Sequence, residues 1–182
     1  VASTMTISDV SQKKPDLVLE QYFLGRTFAS GIFEDRFGNV RRQFTVDLDG
    51  TWDGKMLTLT EDFTFSDGES ETRVWSIEKI APGSYIGTAD DVIGAAKGIV
   101  SGNTLNWKYD MRLKVGGSRV KVHFDDWMFL QPNGVLINKA TVSKLGLDVG
   151  RVTIAFTRKA DADFLSTITS TNNEPLAAAL GR

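Results

Sequence analysis

Four charged residues stand where the alternation of apolar and polar positions calls for apolar ones: Arg42, Glu61, Asp126 and Arg158. Arg42 keeps step with Val40, Phe44, Val46 and Leu48, Glu61 with Leu57, Leu59 and Phe63, Asp126 with Val122, Phe124 and Met128, and Arg158 with Val152, Ile154 and Phe156. Residues two apart on an extended strand share a face. All four charges are therefore directed inward, where an isolated charge costs several kcal/mol and must find a partner or a ligand. Two readings follow. Arg42 and Arg158 beside Tyr109 would grip a carboxylate through forked, charge-assisted hydrogen bonds, with Trp107 and Phe63 as the apolar wall around an acyl chain. Alternatively the same arginines pair with Glu61 or Asp126 within the wall, as buried charges usually do. Alternation alone does not show that the four meet.

Glu61 and Asp126 are also the candidates for an isolated acid or base, should burial raise their pKa values. Other catalytic signatures are missing. His123, the single histidine, shares a strand face with Asp125, but that face also carries Arg119 and Lys121 and offers too few ligands for a metal. Gly94 to Gly98 lacks the spacing of a phosphate loop, and the adjacent acids Asp90-Asp91 and Asp125-Asp126 diverge on a strand. No metal and no cofactor are expected.

The elements that position these residues are announced by turn signals at nearly even intervals: Phe37-Gly38-Asn39, Asp53-Gly54, Asp67-Gly68, Pro82-Gly83, Gly102-Asn103, Gly116-Gly117 and Pro132-Asn133-Gly134, with Gly146 to Gly150 last. Between them ten strands are predicted, near 26–34, 40–52, 55–66, 69–80, 84–89, 95–101, 104–115, 118–131, 134–144 and 150–159. An antiparallel meander of this length twists and closes, so the fold class is all-β: one lipocalin-like barrel of about 8–10 strands. A short helix is expected from Pro15 to Leu24, ended by Gly25. Residues 1–14 read as a flexible lead, 15–160 as the barrel and 161–182 as a loose tail. Segment 87–102, rich in Gly and Ala, breaks the alternation; it reads either as a solvated connection without function or as a short helix or lid between strands.

Composition bounds the function. The chain of 182 residues has a net charge of -2 with interspersed signs, which excludes the basic footprint of a nucleic-acid binder. It has no cysteine, so disulfides and thiolate chemistry are out. No apolar run approaches the ~20 residues of a membrane-spanning helix. Val1 in first place suggests that an upstream segment has been removed. Four tryptophans and 11 phenylalanines either line a pocket or fill a core, and a barrel of about ten strands leaves room for the pocket.

The run from Leu19 to Arg26, continued by Ala29 to Gly38 and Arg42 to Val46, and later Trp75-Ser76-Ile77, Tyr85 to Ala89, Gly94 to Gly98 and Asn106 to Tyr109, resembles an uncharacterised family of predicted Gram-negative lipoproteins, domain of unknown function 3833. The resemblance implies a lipidated cysteine upstream, peripheral membrane contact through that anchor, and a place in the bacterial cell envelope facing the periplasm. Leu24-Gly25 leading into a strand is also similar to the entry of lipocalin-like barrels, where a basic residue near the end of the last strand packs over the closed end; Arg158 is the match. The expected function is binding or carriage of a fatty acid or lipid. The alternatives are an enzyme acting on a lipid-like small molecule through Glu61 or Asp126, and a structural lipoprotein with a solid barrel.

Overall fold

The computed structural model describes residues 4–158. Ten strands run in chain order: β1 (Gly25–Asp35), β2 (Val40–Trp52), β3 (Met56–Phe65), β4 (Ser70–Ala81), β5 (Ser84–Thr88), β6 (Val92–Ser101), β7 (Thr104–Val115), β8 (Ser118–Leu130), β9 (Leu136–Lys144) and β10 (Leu147–Arg158). Each pairs antiparallel with the next, and β10 returns to β1, from Thr27 opposite Arg158 to Asp35 opposite Gly150. The sheet has no free edge. Tight hairpins are possible because the turns place glycine where the backbone is left-handed, as at Gly68 with φ +89°.

Closure divides the hairpins between two ends. One end carries the β2–β3, β4–β5, β6–β7 and β8–β9 turns together with the chain's entry into β1. This end is plugged. A single helical turn α1 (Leu19–Tyr22) lies across it, and Leu17, Leu19 and Phe23 are buried there with Leu57, Leu59, Leu105 and Leu136 from the strands. The plug is tied down by polar groups: the Glu20 carboxylate accepts from Lys79 and from the Tyr85 hydroxyl, the latter at 2.6 Å. Tyr22 donates to the Gly134 and Phe156 carbonyls at 2.8 and 3.1 Å.

The helix expected over Pro15 to Leu24 is shortened to that one turn. Leu17 is already committed as extended chain, its N–H donating to the Gly102 carbonyl at 2.8 Å. The lead expected to be flexible is docked in its described part: a 3-10 turn, Ile7–Val10, buries Val10 and lays its carbonyl over Gly102, where an added Cβ would come within 2.2 Å. The tail of residues 161–182 lies outside the described residues.

Segment 87–102 is neither lid nor helix. It forms the end of β5 and all of β6, with a register shift between Ile93 and Lys97 around Gly94. Its small residues make room for one ring: a Cβ on Gly98 would come 2.3 Å from the Trp107 indole, and one on Gly87 2.6 Å. The wall is thin there because Trp107 lies against it.

Candidate functional site

Packing ends halfway up the barrel. From mid-height to the β1–β2, β3–β4 and β7–β8 hairpins the interior holds a cavity of about 500 Å³, within the range of about 300–1,000 Å³ usual for small-molecule sites. Phe33, Phe44, Phe63, Met111, Phe124 and Ile154 are among its apolar walls, and Arg41, Arg42, Asp67, Glu69 and Lys114 edge its mouth. The aromatic wall is held by ring contacts, Tyr109 stacked on Phe124 at 5.1 Å and edge-on to Trp75 at 5.3 Å, with Trp75 edge-on to Trp107 at 5.5 Å.

The floor is polar. Glu61, Arg73, Tyr109, Asp126 and Asn138 line it, drawn from five strands whose register sets Glu61 opposite Arg73 and Asp126 opposite Trp107. Arg73 is the hub: it donates to Asp91 at 2.8 and 3.0 Å, lies 3.6 Å from Glu61, and sits over the Phe63 ring at 5.2 Å. Burial disfavours its charged form, but Asp91 and Glu61 together hold its guanidinium above the ordinary value.

Two carboxyls at this floor are poised near neutrality. Burial pushes Glu61 up to about 7, with Arg73 pulling it down and Asp91 pushing it further up. Burial likewise pushes Asp126 up to about 7, opposed by the Asn138 amide and the Tyr109 hydroxyl and reinforced by the charges of Asp125 and Glu61. Burial and the neighbouring Asp126 raise the Tyr109 hydroxyl well above its usual range. Asp126 is only 4% exposed; its Oδ2 meets the Asn138 amide at a long 3.5 Å, while Asp126 Oδ1 and Asn138 Oδ1 have no hydrogen-bond partner. Buried acceptors without donors are uncommon. At those two oxygens the floor is short of donors.

Among the residues expected to form the site, Tyr109, Trp107, Phe63, Glu61 and Asp126 meet around the lower cavity, and Arg42 lines its mouth. Arg42 is engaged there by Asp67 and Glu69 at 3.0 and 2.9 Å and lies 3.5 Å over the Phe65 ring. Arg158 is at the opposite end. It donates to the Gln21 carbonyl at 2.8 Å and lies over the Tyr22 ring at 5.2 Å, packing the plug as the lipocalin-like resemblance implies. The three-residue carboxylate grip of Arg42, Arg158 and Tyr109 therefore does not assemble, because β2 and β10 present the two arginines at opposite ends. His123 is on the outer wall, 2.7 Å from Asp110 rather than beside Asp125, whose carboxylate accepts from Asn106 at 2.8 Å.

Arg73 and Asn138 complete the floor together with Asp91, which the sequence shows only as half of the diverging pair Asp90-Asp91. Arg73 keeps step with Trp75 and Ile77, and Asn138 with Leu136, Ala140 and Val142, so the parity that exposed Glu61 also marks them. Asp91 arrives from the β5–β6 turn, where no periodicity operates.

The space left for a ligand depends on the Trp107 ring staying against β5 and β6. Gly98→Val is expected to drive that ring into the cavity, shift the tryptophan emission and abolish uptake of a fluorescent acyl probe. Unchanged uptake would mean that the ring has another place to go.

A closed ten-stranded meander with one plugged end and one apolar, open-mouthed cavity defines a lipocalin-like barrel. The chain belongs to the family described as protein of unknown function (DUF3833), which matches residues 1–158. Among solved structures it is similar to the S-type phycobiliprotein lyase CPES from Guillardia theta, with a TM-score of 0.56 and 7% identity over 77% of this chain and 90% of that one. At that identity the likeness is one of fold. No curated protein matches the sequence.

Proposed function

We propose that this protein binds a hydrophobic, lipid-like small molecule in the upper barrel, with the ligand's apolar body along the aromatic wall and a hydrogen-bond-donating end at the floor. The observation that carries this is the pairing of an apolar cavity of about 500 Å³ with a floor at which two buried acceptors, Asp126 Oδ1 and Asn138 Oδ1, lack donors. Burial of the apolar body supplies the affinity, at roughly 25 cal/mol per Å² of apolar surface. The floor sets the orientation. A fatty acid entering head first would bring a carboxylate against Glu61 and Asp126, with Arg73 already engaged by Asp91; a long-chain alcohol or amine supplies the missing donors. The similarity to a phycobiliprotein lyase barrel supports a small-molecule ligand, and the lipoprotein resemblance supports carriage in the bacterial cell envelope, facing the periplasm.

Displacement of a fluorescent acyl probe by chain-matched alcohol, amine and carboxylate tests the reading. At pH 8, above the Glu61 and Asp126 values of about 7, the amine and alcohol should displace the probe best. The carboxylate should gain on them as the pH falls through 7 and the floor loses charge. Displacement by none of them, or a carboxylate preference at pH 8, would overturn it. Two carboxyls near neutrality also equip the floor to move protons. Native mass spectrometry of the same complexes separates the cases: a ligand recovered at unchanged mass means carriage, and a changed mass means turnover.

A further inference from the structure

The mouth of the barrel is divided into two unlike halves. Strand order places the β7–β8, β9–β10 and β1–β2 hairpins side by side around the rim, with β3–β4 and β5–β6 completing the ring. The first three carry large apolar side chains at their tips: Phe37, Leu145 and Leu147 are 74%, 94% and 70% exposed, and Val40 and Val115 are exposed beside them. Interleaved with these are Arg36, Arg41, Lys114, Arg119 and Lys144, against the acids Glu34, Asp35, which is paired with Arg41 at 2.6 Å, and Asp148. The other two hairpins are acidic, with Asp67, Glu69, Glu71, Asp90 and Asp91 against Arg42, which pairs with Asp67 and Glu69, and Arg73, which pairs with Asp91, and they carry no large exposed apolar residue.

Leu145 shows that the apolar tips are not by-products of folding. Its backbone is left-handed, φ +50°, the one such non-glycine among the described residues, in a turn position that Asn or Gly occupies at lower cost. It is also almost wholly exposed and buries nothing in return. A strained backbone and a solvated leucine are two unfavourable features at one hairpin apex, and neither serves the barrel.

We propose that the β1–β2, β7–β8 and β9–β10 tips dock the open mouth onto an anionic lipid bilayer, with Phe37, Leu145 and Leu147 entering the headgroup boundary and the basic residues facing lipid phosphate. Apolar tips flanked by Arg and Lys are the combination that an anionic membrane surface rewards, through burial and electrostatic attraction together. Arg36 stacked on the Phe37 ring at 4.7 Å keeps a cation and an aromatic ring together at one such tip. The acidic hairpins face away from the same surface, so the barrel leans and the mouth opens at the bilayer on one side. A carrier that docks in this way exchanges a hydrophobic ligand without releasing it into water. The docking itself does not depend on which ligand the cavity takes.

Co-sedimentation of the whole chain with vesicles of equimolar phosphatidylglycerol and phosphatidylcholine, against phosphatidylcholine alone, tests this. The wild type is expected to favour the anionic vesicles and to lose that preference in high salt. Leu145→Asn with Leu147→Ser, and separately Arg119→Glu with Lys144→Glu, should each weaken binding roughly tenfold or more. Asn suits the left-handed turn, so thermal unfolding of the leucine variant should show no loss of stability, and uptake of an acyl probe from vesicle-free solution should be unchanged in both variants. Variants that bind vesicles like the wild type overturn the proposal. So does a wild-type dimer in sedimentation velocity that Leu145→Asn dissolves, since the tips would then cover one another. Failure of probe uptake with vesicle binding intact would count against the cavity reading alone.

Discussion

Arg73→Met is expected to destabilise the barrel by about 3–5 kcal/mol, the usual cost of removing one partner from a buried ion cluster. The guanidinium serves two carboxylates from different elements, Glu61 across the β3–β4 ladder and Asp91 from the β5–β6 turn. Its loss leaves both without a cation, and methionine replaces the volume but none of the donors. The cost should depend on pH in a defined direction. Glu61 already stands near 7 with Arg73 present, and without it burial pushes the carboxyl higher still. Below that value Glu61 takes up a proton and escapes the penalty; above it the charge is stranded. Denaturant unfolding at pH 6 and pH 8 should therefore show the larger loss at pH 8, and adding Glu61→Gln should recover a substantial part of it there. A loss below about 1 kcal/mol at both pH values would mean that water reaches the triad freely, as it does at surface pairs.

The legibility of this fold follows from where its information resides. Turn residues and period-two alternation are local, so the ten strands fall at the expected places, and the closed meander follows from their number and spacing. The inward direction of Glu61, Asp126, Trp107 and Tyr109 is legible for the same reason, since a strand has only two faces. Which inward residues share a level is another matter, being set by the register between strands and by the end at which each sits. Arg42 and Arg158 have the same parity signature and lie at opposite ends of the barrel. The plug escapes local patterning too: the path of residues 4–24 is decided by contacts such as Leu17 on Gly102 and Glu20 on Lys79, each far away in sequence. Segment 87–102 misleads because its glycines serve a ring on the neighbouring strand; in isolation a thin wall and a hinge have the same composition.

Asp126→Asn should make the protein more stable at pH 8 and leave it nearly unchanged at pH 4, while weakening binding of a long-chain amine. The unfolded chain releases the Asp126 proton near the ordinary value of 3.8, and the folded chain holds it until about 7. A carboxyl raised in the folded state contributes fully at low pH, where both states are protonated, and its contribution is lost as the pH rises through the folded value. Between about pH 4 and pH 7 the wild type therefore loses stability through this group, on the order of 4 kcal/mol at 1.36 kcal/mol per unit. Asparagine has the same outline and no charge to bury. Its amide offers the Asn138 oxygen a donor at every pH, as the protonated Asp126 carboxyl does only at low pH. The gain should thus appear only above pH 4 and grow to its full size by pH 8, in thermal or denaturant unfolding across that window. Equal gains at both ends would show that Asp126 is not forced to ionise inside the barrel. A natural sequence that retains an aspartate here, at a stability cost, is explained by a ligand whose donor meets it, the ordinary exchange of stability for function at a binding site. The two measurements should accordingly move in opposite directions in this variant, stability up and amine affinity down. A rise in stability with amine binding intact would separate the buried charge from ligand recognition and move the polar anchor to Glu61.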